Sequence, residues 1–261
     1  MAPSSLRALA RRPIAWVGLA ALLIVAGLAA CLWPLWFSPD LAAAQRANNH
    51  GIGHMEQFDY GAAVPAFQEA VRLAPGWLPG RINLGIALLN RHGSEETSLA
   101  PDWLPTRIKN AVARVTRKKK EDLERATQIF QRVLEADPEN PYAHFCLGHI
   151  FHEQQLSSKA IFHFQSVTRL DPSDAHAWYW LGICLPENSP SQQECFERAV
   201  QLNPYLSPAL HALALKLQAT NPNRAKALLA EIADLQAARW DQKAGRHYGE
   251  MGRYACVVAE E

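Results

Sequence analysis

Apolar and polar positions along the chain fall into three regimes. Residues 14–37, IAWVGLAALLIVAGLAACLWPLWF, run for 24 positions without a charge. From residue 44 onward, apolar residues recur at helical spacing in paired stretches that end at Pro75, Pro138, Pro172 and Pro204. The third regime is 91–120, with loop signals at Gly93, Ser94, Pro101 and Pro105 and then the basic run RIKNAVARVTRKKK. The pattern predicts one long apolar helix followed by a series of helix pairs with a single interruption.

A helix over 14–37, at 1.5 Å per residue, covers a hydrocarbon core of about 30 Å. Arg7, Arg11 and Arg12 precede it and Asp40 follows it. That bias keeps a basic tail, 1–13, in the cytoplasm and sends the remainder, through a linker at 38–43, across the membrane. The favoured reading is a signal anchor, because the apolar run exceeds the core of an ordinary signal peptide. Cleavage near Ala42-Ala43-Ala44 is a second reading. Leu28-Ala29-Ala30-Cys31 resembles a bacterial lipobox and gives a third, a lipoprotein through Cys31, although apolar residues 32–37 follow where a polar tether belongs.

The helix pairs share a period. Gly51, Ala63, Phe67, Ala70 and Pro75 have the same offsets as Gly148, Ala160, Phe164, Val167 and Pro172. Trp178, Leu181, Gly182, Phe196, Ala199 and Pro204 repeat the pattern two residues shorter in the middle. Leu84-Gly85 lies 34 residues after His50-Gly51. Small residues at Gly148 and Ala160 let two antiparallel helices approach, Leu147 and Phe164 fill the seam, and Pro172 stops the second helix. Each pair buries only part of its apolar face, so neighbours must stack.

These residues resemble the tetratricopeptide repeat, whose pattern is W-x2-L-G-x2-Y, then A-x3-F, then P. The repeats read as 44–77, 78–140, 141–174, 175–206 and 207–238, with a partial unit at 239–261. His144 stands where the pattern has Trp, Leu185 where it has Tyr, and His50 and His54 take apolar positions. The last full repeat keeps Leu210, Leu213, Leu217, Leu229 and Ile232 but lacks the Gly and Pro. The resemblance implies an all-α, tetratricopeptide-like α-solenoid of about five helix pairs, preceded by one transmembrane helix.

The second repeat carries 29 extra residues between Leu88 and Ala126. This insertion, 91–120, holds eight basic and three acidic groups, against a net charge of +1 for the whole chain. Ile108, Val112 and Val115 recur at helical spacing beside the basic residues 107–120. Two readings stand: an amphipathic helix lying on anionic lipid or an acidic partner, or a solvated extension of the second helix of this repeat. At the other end, Gly245, Tyr248, Gly252 and Tyr254 match the first helix and turn of another repeat, and 255–261 begins a second helix. A half repeat leaves an apolar face uncovered. The expectation is therefore a fragment. An anchor followed by such repeats is also similar to the N-terminal region of larger bacterial proteins with FG-GAP and ASPIC/UnbV-type segments.

With 26 basic and 25 acidic residues, the chain excludes a generally basic nucleic-acid binder. Five scattered cysteines with no CxxC exclude a zinc ribbon or a disulfide-stapled mini-fold. A Cys184–Cys195 bridge between paired helices is conceivable in an oxidising compartment. There is no GxSxG, P-loop or HExxH, so no enzymatic activity and no cofactor are expected.

In the resembled family, set positions of each first helix line a concave groove. Carried over, these are Ile82, Ile86, Leu89 and Asn90, then Tyr142, Phe145, His149, His152 and Glu153, then His176, Tyr179 and Ile183, and finally His211. The implied groove is aromatic and histidine-rich and suits a peptide with apolar anchors. It lacks the Lys and Arg of a dicarboxylate clamp, so a chaperone's acidic tail is not the expected ligand. His149, His152 and Glu153, with His176, have spacing that could hold a metal, against the simpler reading of a polar-aromatic groove. Histidines there could also make the groove pH-sensitive. The leading expectation is a membrane-anchored scaffold that binds a protein or peptide and no nucleic acid, with its repeats in the periplasm or outside the cell. The alternatives are a docking region of a larger multidomain protein and a client-holding module in haem or cytochrome assembly.

Overall fold

The computed structural model describes residues 39–93, 106–187, 189–242 and 248–259. The segment 14–37, with Cys31, lies outside the described residues, and no described helix is long and apolar enough to cross a membrane. The chain divides into Met1–Asp40 and Leu41–Glu261, and the helix pairs belong to the second unit.

Ten α-helices make up this unit among the described residues, arranged as five antiparallel pairs. They are α1 (Leu41–Glu56) with α2 (Tyr60–Leu73), α3 (Leu78–Gly93) with α4 (Thr106–Ala136), and α5 (Pro141–Glu153) with α6 (Ser157–Leu170). Two further pairs are α7 (Ala175–Cys184) with α8 (Pro190–Leu202) and α9 (Ser207–Leu217) with α10 (Pro222–Ala238). Each pair packs on the next, and first helices of successive pairs also touch, α1 on α3 and α3 on α5. This is an all-helical, tetratricopeptide-like solenoid.

Local sequence sets the helix ends. Asp59, Asn140, Asp174 and Asn221 accept backbone N–H bonds as N-caps, from Ala62, Ala143, Ala177 and Arg224 respectively. Pro75, Pro138, Pro172 and Pro204 each stand two residues beyond the last helical residue. Inside the pairs one seam recurs. A Cβ on Gly51, Gly85, Gly148 or Gly182 would fall within 2.9 Å of Phe67, Phe130, Phe164 or Phe196 respectively, on the partner helix. All four phenylalanines are buried.

The basic part of the insertion, from residue 106 on, is helical. α4 runs unbroken from Thr106 to Ala136, so the basic stretch extends the second helix of its repeat. Two ties hold the base of this extension. Arg91 of α3 forms a two-pronged ion pair with the buried Asp122, at 2.6 and 2.7 Å. His92 lies 2.9 Å from the Lys119 carbonyl through Nδ1 and 2.8 Å from Glu153 Oε1 through Nε2. Both neighbours are acceptors, so the protonated imidazole, which donates from both ring nitrogens, is the form they favour. The hydrogen bond with Glu153 accordingly raises the His92 pKa.

Three expectations are corrected. In α10 the buried residues are Ala225 and Leu228, while Leu229 is 40% exposed. In α1, Asn48, Gly51 and Met55 are buried and His50 is exposed, because the helix turns its small residues toward Phe67. The described part of the C-terminal unit is not a further helix pair. Gly249 and Gly252 have φ of +87° and +121°, outside the helical region, and Arg253–Ala255 forms a single 3-10 turn. Cys184 and Cys195 are free, buried thiols, which burial pushes to pKa values of about 12 and about 11.

Candidate peptide-binding groove

The C-terminal segment, 248–259, contacts the first helices of the second, third and fourth pairs. Its Met251 and Ala255 are buried in the common core. Gly252 rests on Phe145 and His176 so closely that a Cβ there would come within 2.9 Å of both. Tyr254 meets Tyr142 edge to face at 5.1 Å between ring centroids and also contacts Phe145. Its hydroxyl donates to Asp171 Oδ2 over 2.7 Å. Arg253 pairs with Asp171 and, through Nε at 2.9 Å, with Asp174. The Cys146 thiol donates to the Tyr254 carbonyl over 3.4 Å. Further along, the Val258 N–H donates to Asn83 Oδ1 over 2.6 Å, and Asn83 Nδ2 donates to the Val258 carbonyl over 2.9 Å. Asn83 Nδ2 also lies 2.8 Å from Asn48 Oδ1 on α1.

The residues expected in the groove separate into groups. Tyr142, Phe145 and His176 meet around the segment, and the His149 ring bonds to the Met251 backbone. Tyr179, Ile183 and His211 line a cleft of about 470 Å³ with Ser207, Leu215 and Ile232, nearer the last pairs. His152 lies against Trp180, with Nδ1 3.6 Å from Cys184 Sγ. Ile82, Ile86 and Leu89 are buried in the core, and Asn90 Nδ2 donates to its own helix at the Ile86 carbonyl. Glu153 pairs with His92 instead of joining the histidines.

Among the described residues no group of three or more His, Cys, Asp or Glu side chains is placed to hold a metal ion. His149 is boxed by Phe145, Phe164 and Trp180. Burial, helped by His152 and His176, drives its pKa down to about 3. It therefore stays neutral at physiological pH and gives the groove no titrating switch.

Sequence reasoning misses Asn83, Asn48, Asp171 and Asp174. Asn48 and Asn83 stand 35 residues apart on the apolar faces of first helices, where an unpaired amide is costly. That spacing, close to the repeat length, is the signal that marks them. The two aspartates read as helix-stop and helix-cap residues, which they also are.

No family model and no curated protein matches the sequence. Solved structures do resemble it. MamA of Desulfovibrio magneticus RS-1, residues 41 to the end, is 18% identical over 76% of this chain and 97% of that one, with a TM-score of 0.55. Another MamA crystal structure is 14% identical over 76% and 93% of the two chains, with a TM-score of 0.52. A Pseudomonas aeruginosa PilF structure is 16% identical over 74% and 76%, with a TM-score of 0.53. At these identities the likeness is one of fold.

Proposed function

We propose that the protein is a scaffold whose groove, along the first helices of the pairs, binds a segment of a protein partner. The supporting observation is the C-terminal segment itself. It is held there by a backbone clamp, aromatic contacts and charge pairing, which are the elements of peptide recognition. The cleft at Tyr179, Ile183 and His211 offers further room for a partner. No catalytic role is proposed. The proposal includes tethering through 14–37, with the repeats on the periplasmic or outer side. Ala44 is buried within α1, so cleavage at Ala42-Ala43-Ala44 would cut into the first repeat, which favours an anchor over a cleaved signal.

Photo-cross-linking in cells tests this reading. A cross-linking amino acid at His211 or Leu215 should give a discrete adduct with one partner, whereas the exposed Phe162 position of α6 should not. Equal or absent adducts at both places would remove the scaffold reading. Alkaline extraction of membranes tests the tether: the full chain should stay in the pellet, and a chain lacking 14–37 should not.

A further inference from the structure

The contacts of residues 251–258 define what kind of peptide the groove takes. We infer that the groove is a receptor for a segment carrying a glycine–arginine–aromatic triplet at a single 3-10 turn, and that Gly252-Arg253-Tyr254 occupies it as a resident ligand that a partner of the same chemistry must displace. The inference rests on the peptide-binding reading and specifies its ligand.

Each position of the triplet has its own subsite. Gly252 passes where Phe145 and His176 leave no room for a side chain, and its φ of +121° is one that other residues rarely adopt. Arg253 meets two carboxylates, Asp171 and Asp174, the second only 3% exposed at its side chain. A guanidinium presents donors in a planar fork and suits such a pair better than an ammonium. Tyr254 sets its ring against Tyr142 and Phe145 and its hydroxyl on Asp171, so an aromatic with a polar tip completes the site. Downstream, Asn83 bonds both backbone groups of Val258 and fixes the path of the segment whatever its side chain.

The aspartates are not a bare acidic cluster. Asp171 Oδ1 accepts from Ser173 and Asp174 Oδ1 accepts from Ala177, leaving Oδ2 of each turned to Arg253. The site is built from three successive helix pairs, through Asn83 of α3, Tyr142 and Phe145 of α5, and His176 of α7 with the loop before it. Because the ligand is part of the same chain, its effective concentration is in the millimolar range, and a free peptide competes poorly.

The test uses the full chain in detergent and a labelled synthetic peptide of residues 248–259. Gly252→Leu in the chain should expel the resident segment without altering the receptor. The peptide should then bind this variant about tenfold or more tightly than it binds the unaltered chain. A peptide with its arginine changed to glutamate, or its second tyrosine to alanine, should bind the variant at least about tenfold more weakly. Adding Asp171→Asn, which keeps the acceptor oxygen of the local turn, should weaken the native peptide more than a peptide with arginine changed to glutamine, which loses only the tyrosine hydroxyl's acceptor there. Far-ultraviolet circular dichroism checks that both variants remain helical.

Equal binding to the altered and unaltered chains, or indifference to the arginine, overturns the inference. Dimers of the unaltered chain that Gly252→Leu abolishes overturn its intramolecular part, since they show the segment exchanging between copies. A groove cross-link in cells together with indifference to the arginine leaves the scaffold standing and removes only this ligand class. Arginine-dependent peptide binding without any groove cross-link does the reverse.

Discussion

Asn83 and Val258 form a two-way hydrogen-bonded pair: the Asn83 carboxamide accepts from the Val258 N–H and donates to its carbonyl, at 2.6 and 2.9 Å. The two residues are 175 positions apart, and this contact pins the end of the described chain to its second helix pair. Asn83 also satisfies Asn48, so the amide serves the core and the segment together. Asn83→Ala should lower stability by about 2 kcal/mol, because Asn48 and the Val258 backbone are left without their partner. Amide hydrogen exchange at Val258 should speed up more than exchange in α9, and unchanged protection there would show that the clamp does not hold the segment.

The Gly–Phe seams make a sharper prediction about stability. Gly148 faces the buried Phe164 with no space for a Cβ, whereas nothing lies within 4 Å of a Cβ built on Gly53 of α1. Gly148→Ala should therefore cost about 1–3 kcal/mol through overpacking. Gly53→Ala should be neutral or stabilise by up to about 1 kcal/mol, since alanine loses less backbone entropy in a helix. Urea titration of both variants against the parent checks the pair of signs.

The same seams explain why the helix pairs are legible in the chain alone. Gly85 and Phe130 are 45 residues apart in sequence yet pack as Gly148 and Phe164 do at 16, so the 29-residue insertion leaves the helix pair intact. Spacing of small and large residues is a packing constraint, and it is written locally. The role of 248–259 is not. Tyr248, Gly252 and Tyr254 fit a repeat pattern by spacing, but two glycines at positive φ and the contacts made with first helices of three other pairs leave only a single 3-10 turn there. Likewise, helical spacing groups Glu153 with His149 and His152, while the fold brings His92 to it from a different repeat. Long-range partners decide both cases.

The insertion's anchorage is testable at Asp122. This carboxylate is buried and bonded through both oxygens to Arg91, so Asp122→Ala leaves a half-buried guanidinium without it. The loss should be about 3 kcal/mol, near the lower end for breaking a buried pair. Arg117→Ala, which removes an exposed pair with Glu121, should change stability by less than about 0.5 kcal/mol. Limited proteolysis should cut the basic part of α4 faster in the first variant only. Equal cutting in both would mean that Arg91 does not secure the extension.

Acid should weaken the fold through its buried histidines. His144 Nε2 donates to the Pro138 carbonyl over 3.0 Å, so its Nδ1 is the acceptor for the His163 Nδ1–H at 2.9 Å. Burial lowers both pKa values, that of His163 to about 4, and burial takes His149 to about 3. Unfolded histidines take up a proton near pH 6.5, whereas these remain neutral in the native state. The native state thus binds fewer protons, and stability should be full above about pH 6.5 and fall as pH drops toward about 4. His92 acts in the opposite sense: its raised pKa stabilises below its unfolded value, and that contribution fades as pH rises through the folded value. Among the histidines, three lowered against one raised make their net contribution to the slope positive between about pH 5 and 6.5. His163→Gln keeps a donor for His144 but cannot titrate, so urea midpoints measured across this range should show a shallower slope than the parent. A slope as steep as the parent's would mean that the His144–His163 pair is protonated without cost.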